Sequence, residues 1–281
     1  MNSLQIPNIT LAGGTQIPQL GVGTYLIDPG DTERVVSEAF AAGYRHIDTA
    51  SLYHNEAGVG AAVAAAVEAG ITREDLFITT KLWNSDQTRA EAAFEESLDL
   101  LGLDRVDLYL IHWPQPMFGE ALTAWRSLIE IAQSGRATAI GVSNFEISDL
   151  QQLIDETGVV PAVNQIEAHP FHQRRELSAF CAEHGIAIEA WGPLARGRTD
   201  LLERPEILAA ARAHDRTPAQ VVLRWHVQQE RIVFPKTTRR ERLIENARIF
   251  DFALSEAEMA AIDALEEGKN LGPDPRTFDG R

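Results

Sequence analysis

Residues 43–60 read GYRHIDTASLYHNEAGVG and join a short strand to a helix through a tight polar turn. The run from Tyr44 to Ile47 predicts a buried strand, Asp48 ends it, and Glu56 begins the next helix. The stretch therefore carries the carboxylate of Asp48 and, five residues later, the phenol of Tyr53. A strand that ends in polar side chains and leads into a helix is typical of α/β proteins that build a site at their strand ends.

The same alternation of strand and helix continues through most of the chain. The predicted strands are residues 20–24, 44–48, 76–82, 106–112, 137–142, 162–167, 186–191 and 231–235. The predicted helices are residues 31–42, 57–69, 88–101, 119–133, 147–156, 174–184, 217–229 and 240–249. Eight such units predict parallel strands, right-handed crossovers and a closed (β/α)8 TIM barrel of the α/β class, as a single domain of residues 1–281. An open doubly wound sheet is the alternative, although no GxGxxG motif follows the first strand.

Three segments lie outside the eight units. Residues 4–19, with a turn at Ala12-Gly13-Gly14, predict an N-terminal β-hairpin that plugs one end of the barrel. An insert after the seventh strand contains a further helical pattern at residues 205–214, and residues 271–281 are expected to form a loop with an exposed polar end. We expect the loop at 194–204 and the C-terminal segment to shape specificity from the C-terminal side of the barrel.

Side chains suited to chemistry follow or end seven of the eight predicted strands. They are Asp48, Lys81, His112, Ser143 with Asn144, Gln165, Trp191 and Lys236. Because the carboxyl ends of barrel strands meet at one face, where barrel enzymes build their active sites, we expect these side chains to form one site.

Four of the polar groups can together protonate an oxygen that gains negative charge. The ammonium of Lys81 would favour the phenolate and so lower the pKa of Tyr53. Asp48 can hold Lys81 in place as its ion-pair partner, and His112 can donate or accept at the same substrate atom. A carbonyl group that is reduced by hydride has this need, so the pattern predicts a carbonyl reductase.

The stretch at 43–60 resembles the N-terminal signature of the aldo-keto reductase family. The resemblance continues through KLW (81–83), IHWP (111–114), GVSNF (141–145), NQIEAHPF (164–171), AWGPLARG (190–197) and FPKTTRRERLIENARIFDF (234–252), and so covers nearly the whole chain. The chain is most similar to prokaryotic 2,5-diketo-gluconate reductase-like members, through WGPL, RRER and GPDPRTFD. The resemblance implies reduction of aldehydes or ketones, including α-dicarbonyls or keto-sugars. The catalytic residues that it implies are Asp48, Lys81 and His112, with Tyr53 as the general acid.

The resemblance also implies NADPH or NADP+ bound in an extended form across the barrel face, without a Rossmann fold. Ser143, Asn144 and Gln165 would hydrogen-bond the carboxamide, and Trp191 would stack on the nicotinamide. The remaining implied cofactor contacts are Thr24, Leu194, Phe234, Lys236, Thr237, Thr238, Arg242, Glu245 and Asn246. At three of these positions the family more often has a different residue: a small aliphatic residue in place of Phe234, serine in place of Thr237 and tyrosine in place of Trp191. The hydroxyl of Thr237 and the ring of Trp191 retain the implied contacts.

The implied substrate pocket is aromatic. Its expected walls are Tyr25, Trp83, His112 and Trp113, with Met117 and Phe118 on the loop after the fourth strand. Aromatic walls suit flat or apolar carbonyl compounds, and ordinary packing at the barrel face is the alternative interpretation.

A basic cluster independently predicts an anionic ligand. Residues 236–242 read KTTRRER, with four positive charges against one negative, in a chain whose net charge is −16. The cluster lies between the eighth strand and its helix, where barrels often bind phosphate. We therefore predict NADP(H) over NAD(H), with a solvated helix start as the alternative.

Composition excludes other classes of function. The net charge of −16 argues against a nucleic-acid partner, and no apolar run approaches the ~20 residues of a membrane helix. The first residues, MNSLQIPNIT, lack the features of a secretory signal, so we expect a cytoplasmic protein. The single cysteine, Cys181, excludes an internal disulfide and is expected to be an inert buried thiol. With no coiled-coil pattern, a monomer is expected.

Two alternative functions share the barrel. A metal hydrolase could use His46, Asp48, His112 and His169, but Lys81 beside Asp48 would disfavour a divalent cation, so no metal is expected. A non-catalytic member could bind NADP(H) as a sensor or partner subunit. It would bind NADPH without turning it over.

Overall fold

The computed structural model describes residues 6–280, and within them ten strands and ten α-helices form an α/β barrel with a hairpin at one end. The strands are β1 (Asn8–Thr10), β2 (Gln16–Pro18), β3 (Val22–Gly23), β4 (His46–Asp48), β5 (Phe77–Leu82), β6 (Val106–Ile111), β7 (Ala137–Ser143), β8 (Val163–Glu167), β9 (Ala187–Trp191) and β10 (Ile232–Val233). The helices are α1 (Pro29–Ala41), α2 (Glu56–Glu68), α3 (Ala90–Leu101), α4 (Ala121–Gln133), α5 (Ile147–Thr157), α6 (Arg175–Glu183), α7 (Pro205–His214), α8 (Pro218–Gln228), α9 (Arg240–Asn246) and α10 (Glu256–Asp263).

The barrel wall consists of β3 to β10 in chain order, and every neighbouring pair is parallel. The last strand closes onto the first, because Leu20 bridges Val233 and the N–H of Gly21 donates to the Val233 carbonyl at 3.0 Å. The predicted TIM barrel is therefore confirmed, and the doubly wound alternative is wrong.

Both faces of the barrel wall are covered, which explains why its strands are apolar rather than alternating. Every residue of β5 and of β6 is buried. Helices cover the outer face, and side chains such as Phe77, Leu108 and Phe234 fill the interior.

The N-terminal hairpin plugs the amino-terminal end of the barrel, as predicted. β1 and β2 are antiparallel, and Leu11 and Ile17 belong to the same buried cluster as the interior side chains. Leu4 and Gln5, which the hairpin prediction included, lie outside the described residues.

The structure differs from the predicted elements mainly at their ends. β4 begins at His46 rather than at Tyr44, whose hydroxyl donates to the Leu243 carbonyl at 2.9 Å. α9 ends at Asn246 instead of residue 249.

The C-terminal helix α10 was not predicted at all. Its signal is a capping box, in which Ser255 and Glu258 each bond the other's backbone N–H. Within residues 6–280, no helix is long and apolar enough to cross a membrane.

Candidate active site

The strand ends bring Asp48 and Lys81 into contact. Asp48 ends β4 and pairs with Thr79 of the neighbouring strand, so the side chain of Lys81 starts two residues further along β5. Its Nζ donates to Asp48 Oδ1 at 2.7 Å and to the Thr49 carbonyl at 2.8 Å. Lys81 is fully buried, so this ion pair is sheltered from water.

A short 3₁₀ helix, Ser51–Tyr53, delivers the phenol to the same point. The hydroxyl of Ser51 donates to the Lys81 carbonyl at 3.0 Å, which fixes the start of the helix. The Tyr53 hydroxyl lies 3.4 Å from the Nζ of Lys81, which also stands 5.0 Å from the phenol ring centre. The Lys81 ammonium therefore contacts both the Asp48 carboxylate and the Tyr53 phenol.

The pKa of Tyr53 is not lowered, which corrects the expectation from sequence. Burial raises the pKa of Tyr53 to about 12, and the opposing effect of the Lys81 ammonium is smaller. Burial also lowers the pKa of Lys81, but Asp48 and Tyr53 together raise it above its usual value. At neutral pH the site therefore holds a protonated phenol beside a protonated lysine.

His112 completes this group of four, which we call the tetrad (Asp48, Tyr53, Lys81 and His112). Its ring centre lies 5.7 Å from that of Tyr53, at a steep angle. Burial and then the Lys81 charge hold the pKa of His112 well below its usual range, so the imidazole is neutral. Neither ring nitrogen has a hydrogen-bond partner among residues 6–280, and because Nδ1 is buried, Nε2 is the nitrogen that a ligand can reach.

The residues predicted at the nicotinamide form a second network beside the tetrad. Asn144 adopts a left-handed backbone (φ 65°), which asparagine tolerates better than most residues. Its side chain donates to the His112 carbonyl at 2.9 Å and accepts from Trp191 Nε1 at 2.8 Å. Ser143 donates to the Gln165 carbonyl at 2.8 Å. These hydrogen bonds thus join residues at or just after the carboxyl ends of four neighbouring strands, β6 to β9.

The basic cluster (residues 236–242) lies where a phosphate was predicted. Its four cations are exposed, and none forms an ion pair within the described part of the chain: Lys236, Arg239, Arg240 and Arg242. Unpaired cations before and within the first turn of α9 fit the 2′-phosphate of NADPH.

Other predicted cofactor residues differ in accessibility. Thr238 and Leu194 are partly exposed, whereas Thr237 and Asn246 are buried. Glu245 accepts a hydrogen bond from the Thr217 hydroxyl at 2.8 Å.

The side chains of two predicted cofactor residues make contacts within the protein. Thr24 is fully buried, and its hydroxyl donates to the Asp48 carbonyl at 3.2 Å. The ring of Phe234 packs in the barrel interior, 4.9 Å from that of His46. A cofactor contact at Phe234 would therefore use its backbone, and this contact stays a prediction.

The predicted substrate walls surround the tetrad. Tyr25 lies 5.1 Å from Tyr53 between ring centres, and Trp83 lies 5.1 Å from His112. Trp113 is buried, whereas Met117 and Phe118 are exposed on their loop.

The C-terminal segment, residues 271–280, crosses this face and is called the tail below. The ring of Phe278 packs against Trp113 at 4.5 Å and near Trp83 at 6.4 Å. The Gly280 carbonyl accepts from the side chains of Asn84 at 2.6 Å and Gln115 at 3.1 Å. The expected exposed polar end is thus wrong at Phe278 and Gly280, whose contacts tie the tail to the barrel. Arg281 lies outside the described residues.

Glu167 holds the other end of the tail and was missed from sequence. This buried carboxylate accepts from the backbone N–H groups of Leu271 at 2.7 Å and Gly272 at 2.8 Å, and from His169 at 3.1 Å. A Cβ at residue 272 would lie 2.4 Å from the Trp191 ring, so the close approach requires glycine there.

Glu189 is the second acid that was missed. Its side chain is fully buried inside the barrel, where it accepts from Gln165 Nε2 at 2.8 Å. The signal for Glu189 was available, since this acid stands in the otherwise apolar strand AIEAW (187–191). Glu167 follows Asn164 and Gln165 in NQIE (164–167), so its strand carries no such signal.

The metal-hydrolase alternative has no support in the geometry. Within residues 6–280, no group of three or more His, Cys, Asp or Glu side chains is placed to hold a metal. His46 instead bonds the Pro18 carbonyl and the Thr79 hydroxyl, and Asp48 bonds the Lys81 ammonium.

Comparison with known proteins agrees with the geometry. The profile of the Aldo/keto reductase family matches residues 18–267. The chain is 50% identical over 274 residues to an aldo-keto reductase of Mycolicibacterium smegmatis, covering 97% of this chain and 98% of that protein. It is 49% identical over 272 residues to the methylglyoxal reductase DkgA of Yersinia pestis, covering 97% of each.

A solved structure shows the same architecture. A Gox0644 mutant in complex with NADPH superposes with a TM-score of 0.93 at 43% identity, covering 98% of this chain and all of that one (100%). The barrel, the tetrad and these likenesses lead to one conclusion: the chain belongs to the aldo/keto reductase family and is an oxidoreductase that acts on carbonyl groups.

Proposed function

We propose that this enzyme reduces small aldehydes and ketones with NADPH, that α-dicarbonyl compounds such as methylglyoxal are its best substrates, and that Tyr53 is the general acid. The observation that carries the proposal is the buried contact between Lys81 and both Asp48 and Tyr53, beside a neutral His112. A site of this kind provides one proton and one stabilising charge at a single oxygen.

NADPH, when bound, supplies hydride to the carbonyl carbon. Tyr53 gives its proton to the carbonyl oxygen as that oxygen gains charge. Lys81 then stabilises the phenolate, because its ammonium lies 3.4 Å from the Tyr53 oxygen. Asp48 keeps Lys81 oriented, and neutral His112 can hydrogen-bond the substrate oxygen without competing as an acid.

The high pKa of Tyr53 suits this role. A phenol with a pKa of about 12 stays protonated at neutral pH, so the acid is present in its active form. The Lys81 charge matters after transfer, when the phenolate would otherwise lack a cation in a partly buried site.

The residues on the cofactor side would bind and orient NADPH. Trp191 would stack on the nicotinamide, and Ser143, Asn144 and Gln165 would meet its carboxamide. The exposed cations of the basic cluster would hold the 2′-phosphate, which favours NADPH over NADH.

The aromatic contacts of the tail support small substrates. The tail places Phe278 against Trp113, so aromatic rings narrow the space above the tetrad. Two relatives of this chain, in Yersinia pestis and in Escherichia coli, carry the name methylglyoxal reductase. A compact α-dicarbonyl compound fits such a space and presents an electrophilic carbon.

The decisive experiment follows the loss of NADPH absorbance with a panel of aldehydes, α-dicarbonyls and keto-sugars. Wild type is compared with Tyr53→Phe, and NADPH binding is measured separately by fluorescence. Tyr109→Phe is the matched control, because the Tyr109 hydroxyl is buried without a partner in the described structure and lies outside the site.

We expect wild type and Tyr109→Phe to reduce methylglyoxal and Tyr53→Phe to bind NADPH but lose turnover by about 100-fold or more. Wild type that binds NADPH and reduces no carbonyl compound would instead support a non-catalytic sensor. Turnover that survives in Tyr53→Phe would show that another group is the acid.

We propose further that residues 1–281 form one domain and that the enzyme is a cytoplasmic monomer. Within residues 6–280, the barrel and the returning tail leave no separate segment between them, which supports one domain. A single buried cysteine suits a reducing compartment. Light scattering after size exclusion tests the oligomeric state, and a mass twice that of the chain would overturn the monomer.

A further inference from the structure

Glu189 lies inside the barrel below the tetrad and has no role in the chemistry described above. Its side chain is fully buried, and it belongs to β9, the strand that ends in Trp191. Oε2 accepts from Gln165 Nε2 at 2.8 Å, whereas Oε1 has no partner among the described residues. A buried carboxylate with one unpaired oxygen is costly, so its charge state needs an explanation.

The same amide nitrogen of Gln165 also donates to Asp48 Oδ2 at 2.8 Å. The accepting oxygens of Asp48 and Glu189 are therefore separated by no more than twice 2.8 Å. Two carboxyl groups this close cannot both ionise without a matching positive charge.

The surroundings supply one positive charge for the two acids. The charged groups that face Glu189 are Asp48 on β4 and Lys81 on β5. Gln165 and Ile232, which lie in register with Glu189 on its two neighbouring strands, are uncharged. His46 is neutral as well, because burial lowers the pKa of His46 to about 3. Since Lys81 bonds Asp48 directly, the remaining acid is the one that must stay neutral.

We propose that Asp48 and Glu189 form a coupled pair that holds one proton, kept on Glu189 beside the neutral nicotinamide of NADPH and released to water when the positively charged nicotinamide of NADP+ is bound. Glu189 is then a positioning residue: it is neutral when the nicotinamide is neutral, and negatively charged when the nicotinamide is positively charged. The inference rests on the proposed cofactor and deepens that function.

The acidity of Glu189 agrees with this geometry. Burial, and then the charge of Asp48, raise the pKa of Glu189 to about 8. Below that pH the three groups Asp48, Lys81 and Glu189 sum to zero charge, and above it they carry one negative charge. A negative interior favours the positive ring of NADP+, so the affinity for NADP+ relative to NADPH must rise with pH. By linkage, NADP+ must lower the pKa of Glu189 and displace its proton.

The test measures the dissociation constants of NADP+ and NADPH by calorimetry from about pH 6.5 to about pH 9, on both sides of the expected pKa. Wild type is compared with Glu189→Gln, which keeps the shape and an accepting oxygen but cannot ionise. Glu68→Gln, an exposed position at the end of α2, is the control for the loss of one carboxylate.

In wild type and Glu68→Gln we expect the ratio Kd(NADPH)/Kd(NADP+) to rise by about fivefold or more across this range. In Glu189→Gln the ratio should stay flat. Comparing NADP+ with NADPH cancels the ionisation of the 2′-phosphate, which the two nucleotides share.

Infrared spectroscopy gives a second readout that needs no variant and no turnover. The difference spectrum between the NADPH and NADP+ complexes near pH 7 should show a stronger carbonyl band of a protonated carboxylic acid with NADPH than with NADP+. This measurement decides the question if Glu189→Gln does not fold.

The failures of the two proposals are distinguishable. Binding of both nucleotides by wild type with a pH-independent ratio, or an infrared difference without a carboxylic-acid band, would overturn the role of Glu189 alone. Failure of wild type to bind either nucleotide would overturn the proposed function and this inference with it.

Discussion

The ammonium of Lys81 lies 3.4 Å from the hydroxyl oxygen of Tyr53, and it is bonded to Asp48 on its other side at 2.7 Å. Lys81 therefore acts on the phenol while its own charge is already paired. Because burial raises the pKa of Tyr53 to about 12, the lysine in the proposed mechanism is needed less to create an acid than to stabilise the phenolate that remains after proton transfer.

Replacing Lys81 by methionine should lower kcat by about 100-fold or more, the usual range for the loss of a group that assists proton transfer. The methionine fills a similar volume but leaves Asp48 buried without its cation. Steady-state rates with methylglyoxal, together with the Kd of NADPH, check the prediction. An unchanged kcat would mean that the phenolate is stabilised by another group.

Replacing Arg242 by alanine should weaken NADPH binding and leave NADH binding nearly unchanged. One charge-assisted hydrogen bond to the 2′-phosphate contributes about 1.5–3 kcal/mol, so a loss of about tenfold or more is expected for NADPH alone. Fluorescence titration with both nucleotides measures the effect, and Arg212→Ala, at an exposed position on α7, is the control. Equal losses for both nucleotides would remove Arg242 from the phosphate site.

Replacing Glu167 by glutamine should release the tail. The carboxylate accepts the N–H groups of Leu271 and Gly272, one with each oxygen, and an amide can accept only one of them. We expect faster proteolysis within residues 271–280 and a higher KM for small substrates, because Phe278 would no longer be held against Trp113. Limited proteolysis followed by mass spectrometry detects the cut, and Glu256→Gln, at an exposed position on α10, serves as the control. Cleavage at wild-type rates would show that the contacts at Gly280 suffice to hold the tail.

Replacing Glu189 by glutamine should also change how stability depends on pH. In the folded state the pKa of Glu189 is raised to about 8 from an ordinary value of 4.5, so folding favours the neutral form. Wild type therefore loses free energy of unfolding as pH rises between these two values, by at most about 1.4 kcal/mol per pH unit. The variant lacks this loss, so its advantage should grow up to about pH 8 and then level off. Urea unfolding at a series of pH values measures the difference, and a constant difference would contradict the raised pKa.

The sequence predicts the barrel and the placement of the tetrad well, because both depend on local patterns. Apolar strands that alternate with capped helices leave few alternatives to a parallel barrel, and parallel strands bring their carboxyl ends to one face. Asp48, Lys81 and His112 could thus be assigned to a common site from their positions at strand ends alone.

The features that the sequence did not predict depend on distant contacts or on a balance of opposing effects. The pKa of Tyr53 is set by burial against the charge of Lys81, and only the structure shows which effect is larger. The link between Glu167 and Gly272 joins residues 105 positions apart in a segment without regular structure. The ring of Phe234 packs in the barrel interior against His46, which is far away in the sequence.

The N-terminal hairpin decides from which side protons can reach the site. Leu11 and Ile17 seal the amino-terminal end of the barrel with apolar side chains, so bulk water can approach the tetrad only from the opposite end. In the proposed function, that end is also where the substrate enters and the alcohol leaves. The proton that Tyr53 would give up in each catalytic cycle would then be replaced through the opening that the product vacates, so reprotonation of Tyr53 would follow product release.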